Sequence, residues 1–318
     1  MKTIVFFAIL ILVASCANER ILFQHFKTKF NKQYSVEEEA KRFKNFQTNL
    51  KKIQEHNAGD HTYKMGINQF ADLTETEWRK IYLKPIQNME KGEKLQNSKL
   101  PKDTPTSWNW VDHGAVTAVK DQGQCGSCWA FSVTGTIEGC VVAQEKGGEL
   151  ISLSEQEIVD CDDGSGGCNG GSQSQAMEWV IKNGGLCSEQ DYAYTGVDGT
   201  CHKDKCNSVS TLTGDQQISD EKKFADTCYE YGPFAVGVDA SGFEFYSGGI
   251  YDGAGCGTQL NHAVLLVGWN FDGETPYWIV KNSWGTSWGM NGYIWMKEGI
   301  NICGISDYAF YGTGCHNV

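Results

Sequence analysis

Of the 13 cysteines in this 318-residue chain, twelve stand at or beyond Cys125. No other feature restricts the possible folds as much. A long reduced enzyme rarely carries so many thiols, so the pattern argues for an oxidising compartment. Their spacing is irregular, and the C-terminal part that holds them is rich in glycine. The length suits one large domain or two small ones around a packed core. Apolar residues make up 40%, which excludes wholesale disorder. The formal charge of −12 hides a split: residues 1–103 hold 18 Lys+Arg against 12 Asp+Glu, whereas 104–318 hold 9 Lys, no Arg and 27 Asp+Glu. Nucleic acid is excluded as a partner, because phosphate binding needs a basic surface.

The first residues agree with export. Met1-Lys2 is a short basic start, and Thr3 to Val13 is an apolar run too short to span a bilayer comfortably. Ser15-Cys16-Ala17 then supplies the small residues of a cleavage site. Residues 1–17 are expected to be a cleaved secretory signal; a membrane anchor or a lipoprotein box ending at Cys16 are the alternatives. No other stretch is apolar enough to cross a membrane. There is no Asn-x-Ser/Thr sequon, so sorting through an N-glycan is not available.

Residues 18 to about 103 read as mostly helix. Phe23, Phe26 and Phe30, then Phe43, Phe46, Leu50 and Ile53, recur at three- and four-residue spacing, one face of a helix. Glu38 and Arg42 stand four apart in the favourable order for a helical ion pair. From Lys84 to Pro105 the chain turns polar and is punctuated by Pro85, Gly92, Pro101 and Pro105, which predicts an exposed linker open to proteolysis. Beyond it, strand-like runs at Phe234 to Val238, His262 to Trp269, Tyr277 to Lys281 and Gly292 to Met296 alternate with glycine-rich turns. Helical runs follow Ser127 and span about Ser172 to Asn183. Helices first and strands later predict an α+β body.

The chemistry concentrates in Gln122-Gly-Gln-Cys125-Gly-Ser-Cys128-Trp-Ala-Phe-Ser132. Cys128 opens a helix, where the positive end of the helix dipole favours thiolate. A nucleophilic cysteine also needs an imidazole. His113, His202, His262 and His316 are the candidates, and His262 leads into an apolar strand, a rigid place to hold a base. Asn282 could orient the ring by accepting its N–H, with Trp284 shielding that bond from water. Three other readings compete: a C-x-x-C redox pair of Cys125 and Cys128, a zinc site, and Cys128 as half of a structural disulfide.

The segment Gln122 to Ser132 resembles the active-site signature of papain-family cysteine proteases. Asn261-His262-Ala263 resembles the family's histidine segment, Asn282-Ser283-Trp284-Gly285 its asparagine segment, and Gly167-Cys168-Asn169-Gly170-Gly171 its substrate-binding glycine motif. Glu38, Arg42, Phe46, Asn49, Ile53 and Asn57 fall at the spacing of the first propeptide motif of cathepsin-L-like zymogens, and Gly66, Asn68, Phe70 and Asp72 match the second. No insertion suggests the occluding loop of cathepsin B. The resemblance implies a papain-like two-domain α+β fold: a helical left domain and an antiparallel, β-barrel-like right domain at 104–318, after a mainly helical inhibitory propeptide at 18–103.

It also implies roles. Cys128 would attack as the thiolate of an ion pair with His262, Asn282 would hold the imidazole, and the Gln122 side chain with the Cys128 N–H would form the oxyanion hole. The Gly170-Gly171 backbone would pair with an extended substrate. The side-chain pocket would be lined by Ser172, Gln173, Gly237, Leu260, Ala263 and Tyr308, with the Tyr308 phenol shortening it in favour of Val or Leu over Phe. The bridges Cys125–Cys168, Cys161–Cys201 and Cys256–Cys303 carry over. Cys140 is expected as a buried free thiol, and the pairing of Cys187, Cys206, Cys228 and Cys315 is left open. The product would be a monomeric endopeptidase, secreted or lysosomal/vacuolar, made as a zymogen, with protein substrates, no cofactor or metal, and no membrane after signal removal. A silent peptide-binding homologue and an oxidoreductase are the rivals. A basic propeptide on an acidic enzyme suggests an attraction that fades as carboxylates protonate, with Asp72 part of the sensor.

Overall fold

The computed structural model describes residues 18–87, 89, 103–145 and 148–318. The expected signal segment, with Cys16, and most of the expected linker lie outside the described residues. The described residues open with helix α1 over 18–29 and continue into α2, Val36–Ala58. Ser35 caps α2 by accepting from the Glu38 N–H, and Glu37, Glu38 and Glu39 face the positive end of its dipole. Its buried residues, Phe43, Phe46, Asn49, Leu50 and Ile53, form the stripe that the spacing predicts. Phe46 packs on Phe23 and Phe26 of α1. Strand β1, Tyr63–Met65, and helix α3, Glu75–Tyr82, follow, and α3 opens with a capping box between Thr74 and Glu77.

The remaining elements are β2 (Ser107–Asn109), α4 (Cys128–Gln144), α5 (Glu155–Cys161), α6 (Gln173–Asn183), β3 (Ser210–Thr211), β4 (Gly214–Ile218) and α7 (Phe224–Tyr231). Then come β5 (Phe234–Val238), β6 (Tyr246–Tyr251), β7 (His262–Asn270), β8 (Tyr277–Lys281), β9 (Tyr293–Lys297), β10 (Ala309–Thr313) and β11 (His316–Asn317). The main sheet runs β1-β6-β9-β8-β7-β5-β10-β4, with β2 also paired to β7. Its pairs are antiparallel except β6 with β9, which departs from the wholly antiparallel expectation. Helix α4 is apolar on nearly every side and packs against β5 and β7. Those strands are buried along almost their whole length, which is why they read as unbroken apolar runs.

The core has two parts. One gathers around α4, α5 and α6; the other joins the sheet to the N-terminal helices. Strand β1 adds to the edge of β6, with Tyr63 opposite Gly249, so the N-terminal region completes the sheet.

Disulfides close Cys125–Cys168, Cys161–Cys201 and Cys256–Cys303, and two more close Cys140–Cys315 and Cys187–Cys206. Cys140 is therefore not the free thiol expected. Pairing across 175 residues of chain depends on β10 returning beside α4, which spacing does not reveal. Among the described residues the free cysteines are Cys128 and Cys228, both buried. A second correction concerns the linker: of residues 84–87 only Pro85 is exposed, Ile86 is buried, and the segment bonds to Asn261 on one side and Gly171 on the other.

Candidate active site

Helix α4 starts at Cys128, and β7 starts at His262. Strands β7 and β8 pair with Leu265 opposite Lys281, which returns residue 282 to the beginning of β7. There the Asn282 Oδ1 lies 2.8 Å from His262 Nε2 and also accepts from the Ser283 N–H at 2.8 Å. Both bonds need an oxygen, so the amide orientation is set and the ring carries its proton on Nε2. Nδ1 is left without a hydrogen-bond partner, free to take a proton from a thiol. Trp284 stacks on the ring at 4.6 Å and is fully buried, closing the Asn282 bond off from water. Cys128 Sγ accepts from the Ala263 N–H at 3.4 Å, which ties the thiol to the strand carrying the imidazole.

Gln122 is fixed from two sides. Its backbone N–H donates to the Ser283 carbonyl at 2.8 Å, and its side-chain Oε1 accepts from the Ser283 hydroxyl at 2.6 Å. Its Nε2 donates to the Cys125 carbonyl at 2.9 Å, leaving a second amide proton. Sequence reasoning missed Ser283 as a support; its place beside Asn282 in the quoted segment was the available signal. Of the other histidines, His113 stacks on Trp108 and His316 is exposed in β11. The Cys125–Cys168 bridge leaves no Cys125–Cys128 redox pair.

The cleft is closed by residues 84–87. The Lys84 N–H donates to the Asn261 carbonyl at 2.9 Å and the Gln87 N–H to the Gly171 carbonyl at 3.3 Å. Ile86 is buried in one apolar cluster with Leu260, Ala263 and Tyr308. A Cβ on Gly237 would come within 2.7 Å of Ile86 Cδ1. The Tyr308 hydroxyl meets Ser172 Oγ at 2.7 Å, and the buried Gln173 amide has no hydrogen-bond partner. Burial pushes the Cys128 thiol up to about 11 and the His262 imidazole down to about 4. In this closed state desolvation outweighs the helix N–H groups, so burial favours the neutral form of each.

The two N-terminal motifs hold this plug. Asn49 Nδ2 donates to the Ala71 and Leu73 carbonyls, Asn57 brackets Met65, and Arg42 reaches Glu38, Glu77 and the Asp72 carbonyl. Gly66 N–H bonds to the Phe245 carbonyl and Asn68 Nδ2 to the Glu244 carbonyl. Asp72, nearly fully buried, takes Lys32 at 3.0 Å and the Tyr34 hydroxyl at 2.7 Å. Phe70, Trp78 and Tyr82 crowd edge-on against Trp284.

Residues 104–313 match the papain family cysteine protease model, and residues 23–78 match the cathepsin propeptide inhibitor domain (I29). The chain belongs to the papain family of cysteine proteases. This papain-family protease is 41% identical over 304 residues to the probable cysteine protease RD21B of Arabidopsis thaliana, covering 92% of itself and 65% of that longer protein. It is 40% identical over 322 residues to cysteine proteinase 1 of Dictyostelium discoideum, covering 91% of each. The solved digestive procathepsin L 3 of Tenebrio molitor larval midgut superposes with a TM-score of 0.84 at 37% identity, covering 93% of this chain and 99% of that one. The protease is a cysteine peptidase made as a zymogen, activated by removal of its propeptide.

Proposed function

We propose that this zymogen yields an endopeptidase in which Cys128 and His262 react, Asn282 orients the imidazole and Gln122 helps bind the oxyanion. The observation that carries the reading is the buried Asn282–His262 bond with Nδ1 left without a partner, next in sequence to Ala263, whose N–H donates to the free Cys128 thiol. Once the plug leaves, water reaches the cleft and the thiol proton passes to Nδ1. The thiolate attacks the scissile carbonyl, the imidazolium protonates the departing amine, and a thioester remains. His262 then takes a proton from water, which hydrolyses the thioester and regenerates the thiol.

Ile86 supports the specificity reading, because the propeptide fills the pocket with a mid-sized aliphatic side chain above the Tyr308–Ser172 floor. Val and Leu are therefore favoured over Phe at the second residue before the cleaved bond. Five disulfides favour export to a secretory or vacuolar destination. Among the described residues no helix is long and apolar enough to cross a membrane.

The test is to incubate the purified zymogen with thiol at acidic pH and follow loss of the propeptide, labelling by an epoxide inhibitor and peptide hydrolysis. Cys128→Ala abolishes labelling and hydrolysis; near-wild-type hydrolysis in that variant sinks the mechanism. A panel in which Phe substrates clearly beat Leu and Val sinks the specificity reading.

A further inference from the structure

We propose that Tyr194 is a positioning residue for the oxyanion hole, acting through Gln122. The proposal rests on the catalytic reading above and concerns a side chain far along the chain from every motif that supports it. The Tyr194 hydroxyl lies 2.9 Å from the Gln122 carbonyl and 2.6 Å from Ser127 Oγ. A phenol has one proton, and a carbonyl can only accept, so Tyr194 donates to Gln122 and Ser127 donates to Tyr194. One oxygen atom thus ties together the two ends of the segment 122–127, which runs from the expected oxyanion donor to the residue before Cys128.

Three observations make this bridge specific. The first is the behaviour of the helix caps. Ser35, Thr74, Ser154 and Ser172 each turn a side-chain oxygen to an amide of the helix they open, whereas Ser127 makes no such bond. Its hydroxyl is committed to Tyr194, although N-cap serines ordinarily serve the helix. The second is rigidity. The Tyr194 N–H donates to Glu189 Oε1 at 2.9 Å, the next residue donates to Gln156 Oε1 at 2.8 Å, and the ring meets Phe131 edge-on at 4.9 Å. The phenol is therefore held by its own surroundings and can impose a position on Gln122. The third is complementarity. Ser283 holds the Gln122 N–H and side-chain oxygen, while Tyr194 holds its carbonyl, so the residue is clamped on both its main-chain and its side-chain groups. Burial raises the Tyr194 pKa, which keeps the phenol a donor throughout the working range.

A donor to the oxyanion works only when it is already aimed at the place where charge develops. Without the hydroxyl of Tyr194, Gln122 keeps its Ser283 bonds but its carbonyl keeps only the long 3.4 Å bond from the Cys125 N–H, so its peptide is freer to rotate and the amide proton drifts from that place.

The experiment separates hydrolysis, which forms an oxyanion, from alkylation of Cys128 by iodoacetamide, which does not. Tyr194→Phe, Gln122→Ala and the double variant are made in the full chain, activated and compared with wild type. Tyr194→Phe is expected to lower kcat about tenfold, less than outright loss of an oxyanion donor. KM and the iodoacetamide rate stay near wild type, and the substitution adds little in the Gln122→Ala background. Unchanged kcat overturns the proposal. So does a parallel loss of alkylation, which would place the effect on the nucleophile or the fold, and so does a further tenfold loss in the Gln122→Ala background. A Cys128→Ala variant that still hydrolyses peptides overturns the catalytic reading itself and the proposal with it.

Discussion

A Cβ on Gly171 would lie 2.5 Å from the ring of Trp129, the residue after Cys128. The glycine is there for space, since its φ is not positive, whereas its neighbour Gly170 sits at φ +109, where other residues are strained. Gly171→Ala forces the indole to shift beside Cys128. The expected cost is about 1–3 kcal/mol of stability with a fall in kcat/KM, read by denaturant unfolding and peptide hydrolysis. Gly237 is also spatial: a Cβ would approach Ile86 Cδ1 at 2.7 Å and Leu260 Cδ1 at 3.2 Å. Gly237→Val narrows the pocket, and Leu substrates are expected to lose about 1–3 kcal/mol of transition-state binding relative to Ala substrates. An unchanged Leu-to-Ala ratio of kcat/KM would exclude this wall from the pocket.

Among the elements, α2 works as a clamp. Its apolar stripe attaches it to α1, while its polar motif residues grip the turn before α3. Asn49→Ala strands two buried carbonyls, each costing about 1–3 kcal/mol when left unpaired. Propeptide added in trans is expected to inhibit at least about tenfold more weakly, since 1.4 kcal/mol is tenfold in affinity. Inhibition constants of the two propeptides against the mature enzyme give the comparison. Helix α4 depends on a different device. The Cys140–Cys315 bridge ties its last turns to the chain beyond β10. Replacing both cysteines by Ala is expected to cost about 2–5 kcal/mol of stability while kcat at low temperature holds, because Cys128, at the start of α4, is three turns away.

For the whole molecule, the opposite charges of propeptide and enzyme meet less directly than the composition suggests. Among the described residues one ion pair crosses between them, Lys52 with Glu244 at 3.5 Å; the other propeptide ion pairs are internal to it. The charge split therefore acts mainly at long range. Salt is expected to slow propeptide association far more than it changes dissociation, which stopped-flow binding can separate.

Acid loosens the closed state through specific groups. His262 is held neutral by burial, at about 4 against 6.5, so the closed form binds fewer protons than the unfolded chain and loses roughly 3 kcal/mol as pH falls across that window. For Glu77, burial alone would raise the pKa, but Lys41, Thr74 and Arg42 hold it at about 2. Its contribution is present above its ordinary 4.5 and is lost as pH drops from there toward 2. Glu244, raised to about 7 by burial with Lys52 offsetting part, works the other way and favours the closed state as pH falls from 7 to 4.5. Propeptide release is expected to accelerate most below about pH 5, where Glu244 is already largely protonated. Glu77→Gln flattens the lowest part of that profile. Release equally slow at pH 4 and 7 would refute the scheme.

Sequence alone singled out the groups proposed to react and pointed to disulfide formation, because a cysteine at a helix start, a histidine on an apolar strand and a cluster of cysteines are local patterns. It also made α2 and the strands β5, β7 and β8 legible, since burial of one face or both leaves a 3.6-residue period or an unbroken apolar run. Only the tertiary structure decided what lies across the chain from what. It paired Cys140 with Cys315, drew the polar stretch at 84–87 into the cleft and brought Tyr194 to Gln122. It also buried Cys128, and that burial raises the thiol pKa against the lowering that its helix position predicts. The reason is common to all four: periodicity and propensity act over a few residues, whereas disulfide partners, plugs and desolvation depend on contacts between segments remote in sequence, which exist only once the core has formed.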